Sequence, residues 1–172
     1  MFKDAGKCVV LIGAALGVAI GAGFAEIAPA AAQNLVLGKQ TYQAKVNCPE
    51  CHGWAGHGDP EDPRAPRGAN LRDSKLNKEA LITIIQCGRP GASMPYFDVR
   101  AYEDDRCYGM TKAQIGDQMP PPGTPNLIAR EIEAVADYLL AKVIGRGPIT
   151  REECAEYFGG EVNRCRDFPP RR

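Results

Sequence analysis

Val46-Asn47-Cys48-Pro49-Glu50-Cys51-His52-Gly53 is the stretch on which the reading of this chain turns. Two thiols separated by two residues, followed at once by an imidazole, form the attachment signature of c-type haem. Each thiol adds to one vinyl group of the porphyrin, and the short loop then brings the His52 imidazole under the iron as proximal ligand. Other uses of a Cys-x-x-Cys pair make different demands. A redox dithiol of the thioredoxin kind expects an adjoining strand–helix–strand pattern, whereas the residues before Cys48 read as helix. A zinc site expects a second pair of ligands at similar spacing, and the chain has no other Cys-x-x-Cys. The expected cofactor is one covalently bound haem c, held by Cys48, Cys51 and His52.

Outward from the motif, only helical patterns emerge. Upstream, Leu35, Val36, Gly38, Tyr42 and Val46 predict a short helix leading into Cys48. Downstream, the stretch from Gly53 to Pro66 is rich in Gly, Pro and charge and reads as a loop. Asn77 is placed to cap a helix whose apolar face is Leu81, Ile82, Ile84 and Ile85, closing at Gly88. Thr124-Pro125 is expected to open the longest helix, through Leu127, Ile128, Ile132, Val135, Ala136, Leu139, Leu140 and Val143, with Gly145 ending it. Thr150-Arg151-Glu152-Glu153 is a capping-box pattern for a fourth helix that stops at Gly159. No convincing strand pairs are present, so the fold class expected is all-α, built around haem.

From about Leu35 to Val143 the chain resembles the small class I cytochromes c. The resemblance rests on Gly38-x-x-x-Tyr42, on Cys48-x-x-Cys51-His52-Gly53, on Gly88-Arg89-Pro90-Gly91-Ala92-Ser93-Met94-Pro95, and on Glu131-Ile132-Glu133-Ala134-Val135-Ala136-Asp137-Tyr138-Leu139. It implies that the first and last helices cross, with Gly38 and Tyr42 meeting Tyr138 and Leu139. It also implies Met94 as the sixth iron ligand, a pairing with His that raises the reduction potential. Met119, in front of Pro120 and a short distance before the last helix, is the rival ligand. Met110, His57 and an open sixth position are the remaining alternatives. Otherwise His57 is expected in a solvent-facing loop, Trp54 packs near haem or the loop, and Pro66 or Pro63 offers the carbonyl that orients the His52 ring. The departures are an inserted loop between Met94 and the last core helix and a C-terminal cysteine-containing extension after Gly145.

The first 32 residues differ from the rest. Lys3 and Lys7 precede an apolar Gly/Ala-rich run, and Ala30-Ala31-Ala32 precedes Gln33. These are the parts of a secretory signal peptide, so the expected organisation is a leader over 1–32, a cytochrome c domain over 33–145 and an extension over 146–172. An uncleaved membrane anchor is the alternative reading of the run; no stable anchor is expected. Cys8 precedes the apolar run and is incidental. Export to the periplasm permits disulfides. With Cys48 and Cys51 used by haem, Cys87, Cys107, Cys154 and Cys165 remain, and four cysteines allow three pairings. Local pairing, Cys87–Cys107 and Cys154–Cys165, closes the shortest loops; four free buried thiols are the other possibility.

The chain is formally neutral, with 21 basic and 21 acidic residues, and stays balanced without the leader. Neutrality argues against nucleic acid, which needs a basic face. The acidic clusters (Glu61, Asp62; Glu103, Asp104, Asp105) and the tail arginines (Arg164, Arg166, Arg171, Arg172) read as solvated surface. No catalytic constellation stands out, so the chain reads as an electron-transfer protein and not an enzyme. The inserted loop and cysteine-containing tail are weakly similar to those of cytochromes that accompany quinoprotein dehydrogenases. The expected donor is therefore a periplasmic quinoprotein dehydrogenase of the alcohol or methanol type, and the acceptor another cytochrome or a terminal oxidase. The alternatives are a haem subunit fixed in an oxidoreductase complex and an open-site haem enzyme or sensor.

Overall fold

The computed structural model describes residues 30–60, 62–160 and 163–171. The expected leader, with Cys8, lies outside them except for residues 30–32, which begin the first helix. Six α-helices occur in the described residues: α1 (Ala30–Gln40), α2 (Pro49–His52), α3 (Lys78–Cys87), α4 (Lys112–Ile115), α5 (Ala129–Lys142) and α6 (Arg151–Tyr157). No strand is found among them, only the isolated bridges Tyr96–Pro122 and Cys107–Met110. This helical architecture fits the all-α fold of a cytochrome c. None of these helices is long and apolar enough to cross a membrane.

The frame is the crossing of α1 over α5. Gly38 permits it: a Cβ there would run into the Ala134 carbonyl and lie 2.7 Å from Tyr138 Cβ. With the backbones in contact, the Tyr42 and Tyr138 rings meet at 5.7 Å between centroids. Polar pairs pin the margins, with Lys45 on Glu131 at 2.6 Å and Lys78 on Asp137 at 2.6 Å. Beneath the crossing, Tyr42, Leu81, Ile85, Phe97, Leu127, Ile132, Val135, Ala136, Leu139 and Val143 form the main core. The Gly38/Tyr42 contact with Tyr138 is the one the resemblance implied.

Local signals placed most helix ends. The Asn77 side chain accepts from Ala80 N–H at 3.0 Å and starts α3. Thr150 accepts from Glu153 N–H at 3.2 Å, while Glu153 accepts from Thr150 N–H at 3.1 Å, completing the box at α6. Two boundaries moved. The first helix begins at Ala30 and ends in a widened turn, Thr41–Lys45, where Val46 N–H bonds to Thr41 C=O. The helix expected to open at Thr124-Pro125 begins instead at Ala129. Leu127 gives its N–H to the Phe97 carbonyl at 2.9 Å and buries its side chain, so the chain stays extended until Ile128.

A second, smaller core lies in the segment after Met94: Cys87, Ala101, Tyr102, Cys107 and Ile115, with Tyr96, Met110 and Met119 packed against it. Cys87 and Cys107 are bonded, as are Cys154 and Cys165, the pairing expected from loop length. Each such link stabilises by roughly 2–4 kcal/mol through restriction of the unfolded chain. Reduction under denaturing conditions is expected to add the four hydrogens of two bonds to the intact mass. Peptide mapping that joined any other pair would overturn the assignment.

The extension is docked by a residue that drew no notice in the sequence. Arg72 is buried and reaches Glu153 at 2.9 Å, the Gly147 carbonyl at 2.5 Å and the Pro148 carbonyl at 3.3 Å. Around it, Trp54 stands among Tyr157, Phe158 and Phe168, at 5.0, 5.2 and 6.1 Å between ring centroids. Trp54 therefore packs on the extension. The tail arginines are not all plain surface either, since the Arg164 guanidinium stacks 3.9 Å over the Phe158 ring.

Candidate haem site

The attachment turn is a single helical turn. Cys48 caps α2, and Cys51 N–H and His52 N–H both return to the Cys48 carbonyl, at 3.2 and 3.0 Å. Residues three and four apart share a helix face, so Cys51 and His52 each lie on the side of the turn that Cys48 occupies. Pro49 at the first helical position suits its fixed φ. Gly53 then turns the chain with φ of +74°, and a Cβ there would meet His57 Cε1 at 2.5 Å. Of the six cysteines in the described residues, Cys48 and Cys51 alone are not in disulfides.

The loop that follows folds back onto this turn. Gly58 N–H bonds to the His52 carbonyl at 2.7 Å, and Gly68 N–H to the Cys51 carbonyl at 2.8 Å. His52 Nδ1 lies 2.8 Å from the Ala69 carbonyl. As a donor to that oxygen, Nδ1 holds the ring and leaves Nε2 with its lone pair, the form in which imidazole ligates a metal. Burial also pulls the His52 pKa below the usual imidazole value, although the Ala69 contact opposes it. The carbonyl is Ala69, not Pro66 or Pro63 as the sequence suggested. Gly68 decides this: a Cβ there would sit 2.6 Å from Nδ1 and 2.9 Å from the Cys51 carbonyl. Only a residue without one lets the backbone close on the ring.

Burial pushes the Cys48 thiol up to about 12. The Cys51 thiol is also raised, by burial and by Glu50 beside it. Cys48 packs against the main core together with Met94, whereas Met119 and Met110 pack against the second core. The methionines that compete in the sequence are thus divided between two clusters. His57 is half-buried with its ring 6.1 Å from Trp54, rather than facing solvent. The Tyr42 hydroxyl is buried without a hydrogen-bond partner, and the Cys48 thiol is near enough to influence its ionisation.

These features suit haem. Two unpaired thiols, a neutral imidazole with a free Nε2 and a thioether in the same core are the donors that a covalent haem needs. The orphaned Tyr42 hydroxyl belongs to the same core cluster as Cys48 and Met94. Among the described residues, no group of three or more His, Cys, Asp or Glu side chains is placed to hold a metal ion.

Comparison with known families agrees. Residues 33–106 match the model of a family described as cytochrome c oxidase, cbb3-type, subunit III. The match supports a c-type cytochrome. It spans most of α1, the attachment turn, α3 and the loop with Met94, and leaves out α4, α5 and the extension. It implies a haem cofactor and suggests an electron carrier rather than an enzyme. No curated protein and no solved structure matches the chain.

Sequence reasoning missed Ala69, Arg72 and the tyrosines of the second core. Gly68, placed beside the loop prolines, was the one available signal for the first. Arg72 sits in Asn70-Leu71-Arg72-Asp73, a polar stretch with no pattern to set it apart.

Proposed function

We propose that this chain is a periplasmic monohaem cytochrome c that carries single electrons, with haem attached at Cys48 and Cys51 and iron held by His52 and Met94. The observation that carries the reading is the attachment turn itself: two free thiols and an imidazole whose Nδ1 is already committed to Ala69. A haem bound there supplies one-electron chemistry between ferric and ferrous iron. Cys48 and Cys51 anchor it, His52 presents Nε2 in a fixed tautomer, and the apolar main core keeps water from that side. Met94 offers a soft sulfur, which favours the ferrous state and raises the potential. The donor would be a quinoprotein dehydrogenase, and the acceptor another cytochrome or a terminal oxidase.

The ligand is tested by substitution. A thioether sulfur gives ferric haem a weak charge-transfer band at the red end of the spectrum. That band is expected in the unaltered protein, to vanish in Met94→Ala, and to persist in Met119→Ala. Met94→Ala is also expected to lower the reduction potential. The opposite mutant pattern would move the ligand to Met119. Avid carbon monoxide binding by the unaltered protein would instead favour the open-site reading.

A second reading is favoured by the match to a family described as an oxidase subunit: a haem subunit held permanently in an oxidoreductase complex. Purification from the native membrane and soluble fractions separates the two. A free carrier elutes alone at its own mass, whereas a fixed subunit leaves the column with larger partners.

A further inference from the structure

Three non-glycine residues in the described chain have left-handed backbones: Asn47 (φ 48°), Tyr102 (φ 63°) and Tyr108 (φ 58°). Asparagine tolerates this region, but a bulky aromatic residue there is strained and persists only where its surroundings hold it. Both tyrosines lie in the segment flanking the Cys87–Cys107 link, and their hydroxyls go to adjacent carbonyls. Tyr102 Oη donates to Cys87 C=O at 2.9 Å, and Tyr108 Oη donates to Gly88 C=O at 2.7 Å. These carbonyls stand at the end of α3, where the helix no longer supplies donors.

The two peptide groups so gripped lead directly to Met94. The peptide joining Gly88 to Arg89 is a rigid plane. Its carbonyl takes the Tyr108 hydroxyl, while its N–H, that of Arg89, donates to the Met94 carbonyl at 3.1 Å. The preceding peptide is held the same way, its carbonyl by Tyr102 and its N–H, that of Gly88, on Ile84 C=O at 2.9 Å. Gly88 makes the approach possible, with φ of +65° and a hypothetical Cβ only 2.7 Å from Met94 O. Rotation of either plane breaks a bond at both of its ends.

We propose that Tyr102 and Tyr108 are positioning residues for the Met94 thioether, acting through the Cys87–Gly88 and Gly88–Arg89 peptides at the base of its loop. The proposal rests on Met94 as the iron ligand. Loss of either hydroxyl frees a peptide plane, lets the loop swing and exposes the sixth position to other ligands. A tyrosine that merely supports the fold would lower the melting temperature and leave that position unchanged.

The test is imidazole titration of the ferric holoprotein, followed by loss of the thioether band, with thermal melting in parallel. Tyr108→Phe and Tyr102→Phe each remove one oxygen. Each is expected to raise imidazole affinity by roughly twofold to tenfold, the equivalent of one neutral hydrogen bond. Tyr157→Phe, in the extension against Trp54, is expected to leave imidazole affinity unchanged, whatever it does to the melting temperature. If one tyrosine variant yields no holoprotein, the other supplies the measurement. Unchanged affinity in both, with the band behaving as expected in Met94→Ala, overturns this proposal alone. A band that is missing from the unaltered protein, or that survives Met94→Ala, overturns the ligand reading and this proposal with it.

Discussion

Replacing both Cys48 and Cys51 with alanine is expected to leave essentially no covalently bound haem, whatever the yield of polypeptide. The reason lies in the geometry of the turn. The two thiols stand three residues apart on one face of α2, with His52 beside them, and every other described cysteine is locked in a disulfide. Among the described residues no third thiol is available to rescue a thioether. Single variants are expected to be asymmetric. Cys48 packs against the main core with Met94, so Cys48→Ala also opens a gap there, whereas Cys51 is not among the residues packed on that core. Haem staining after denaturing electrophoresis reads the result directly. Haem that acidified solvent extracts from the unaltered protein would refute covalent attachment outright.

Arg72→Ala is expected to destabilise the protein by roughly 3–5 kcal/mol, the range for breaking one side of a buried ion pair. The guanidinium is almost wholly buried, with 4% of its side-chain surface exposed against 23% for Glu153. Its loss leaves the Glu153 carboxylate without its cation, with the Thr150 N–H still donating to it, and removes donors from the Gly147, Pro148 and Ala55 carbonyls. For a chain of this size the melting temperature should fall by about 10 °C. Arg72→Lys should recover only part of this, because an ammonium cannot span several acceptors as a planar fork does. The loss should be felt first in the extension. Trp54 is the single tryptophan of the chain and sits against Tyr157, Phe158 and Phe168, so its environment reports undocking. Proteolysis should then cut within 146–171 more readily. An unchanged melting temperature with the extension equally resistant would show that Arg72 is not what holds it.

The division between sequence and structure follows the range of the forces involved. Whatever depends on neighbours within a turn was legible. The attachment motif defines its own geometry, because Cys51 and His52 follow Cys48 by three and four residues on a single helical turn. Asn77 and Thr150 each satisfy a backbone N–H three residues ahead, so their caps could be read from residue type and spacing. The disulfides followed from loop length once two cysteines were set aside. The contact of Gly38 and Tyr42 with α5 was accessible only through the family resemblance.

What the tertiary structure decided depends on groups distant along the chain. The carbonyl that orients His52 comes from Ala69, seventeen residues on, because the absence of a side chain at Gly68 lets the backbone approach. The start of α5 shifted to Ala129 because Leu127 pairs with Phe97, thirty residues earlier. Met94, Met110 and Met119 are chemically alike, and their division between two cores is a matter of which surfaces the disulfide-linked segment covers. Arg72 is the clearest case. An arginine in a polar stretch is ordinarily solvated, and only the arrival of Glu153 and the carbonyls of the extension makes its burial favourable. Local hydrogen bonds are written in adjacent residues, but desolvation is shared among all the surfaces that close over a group.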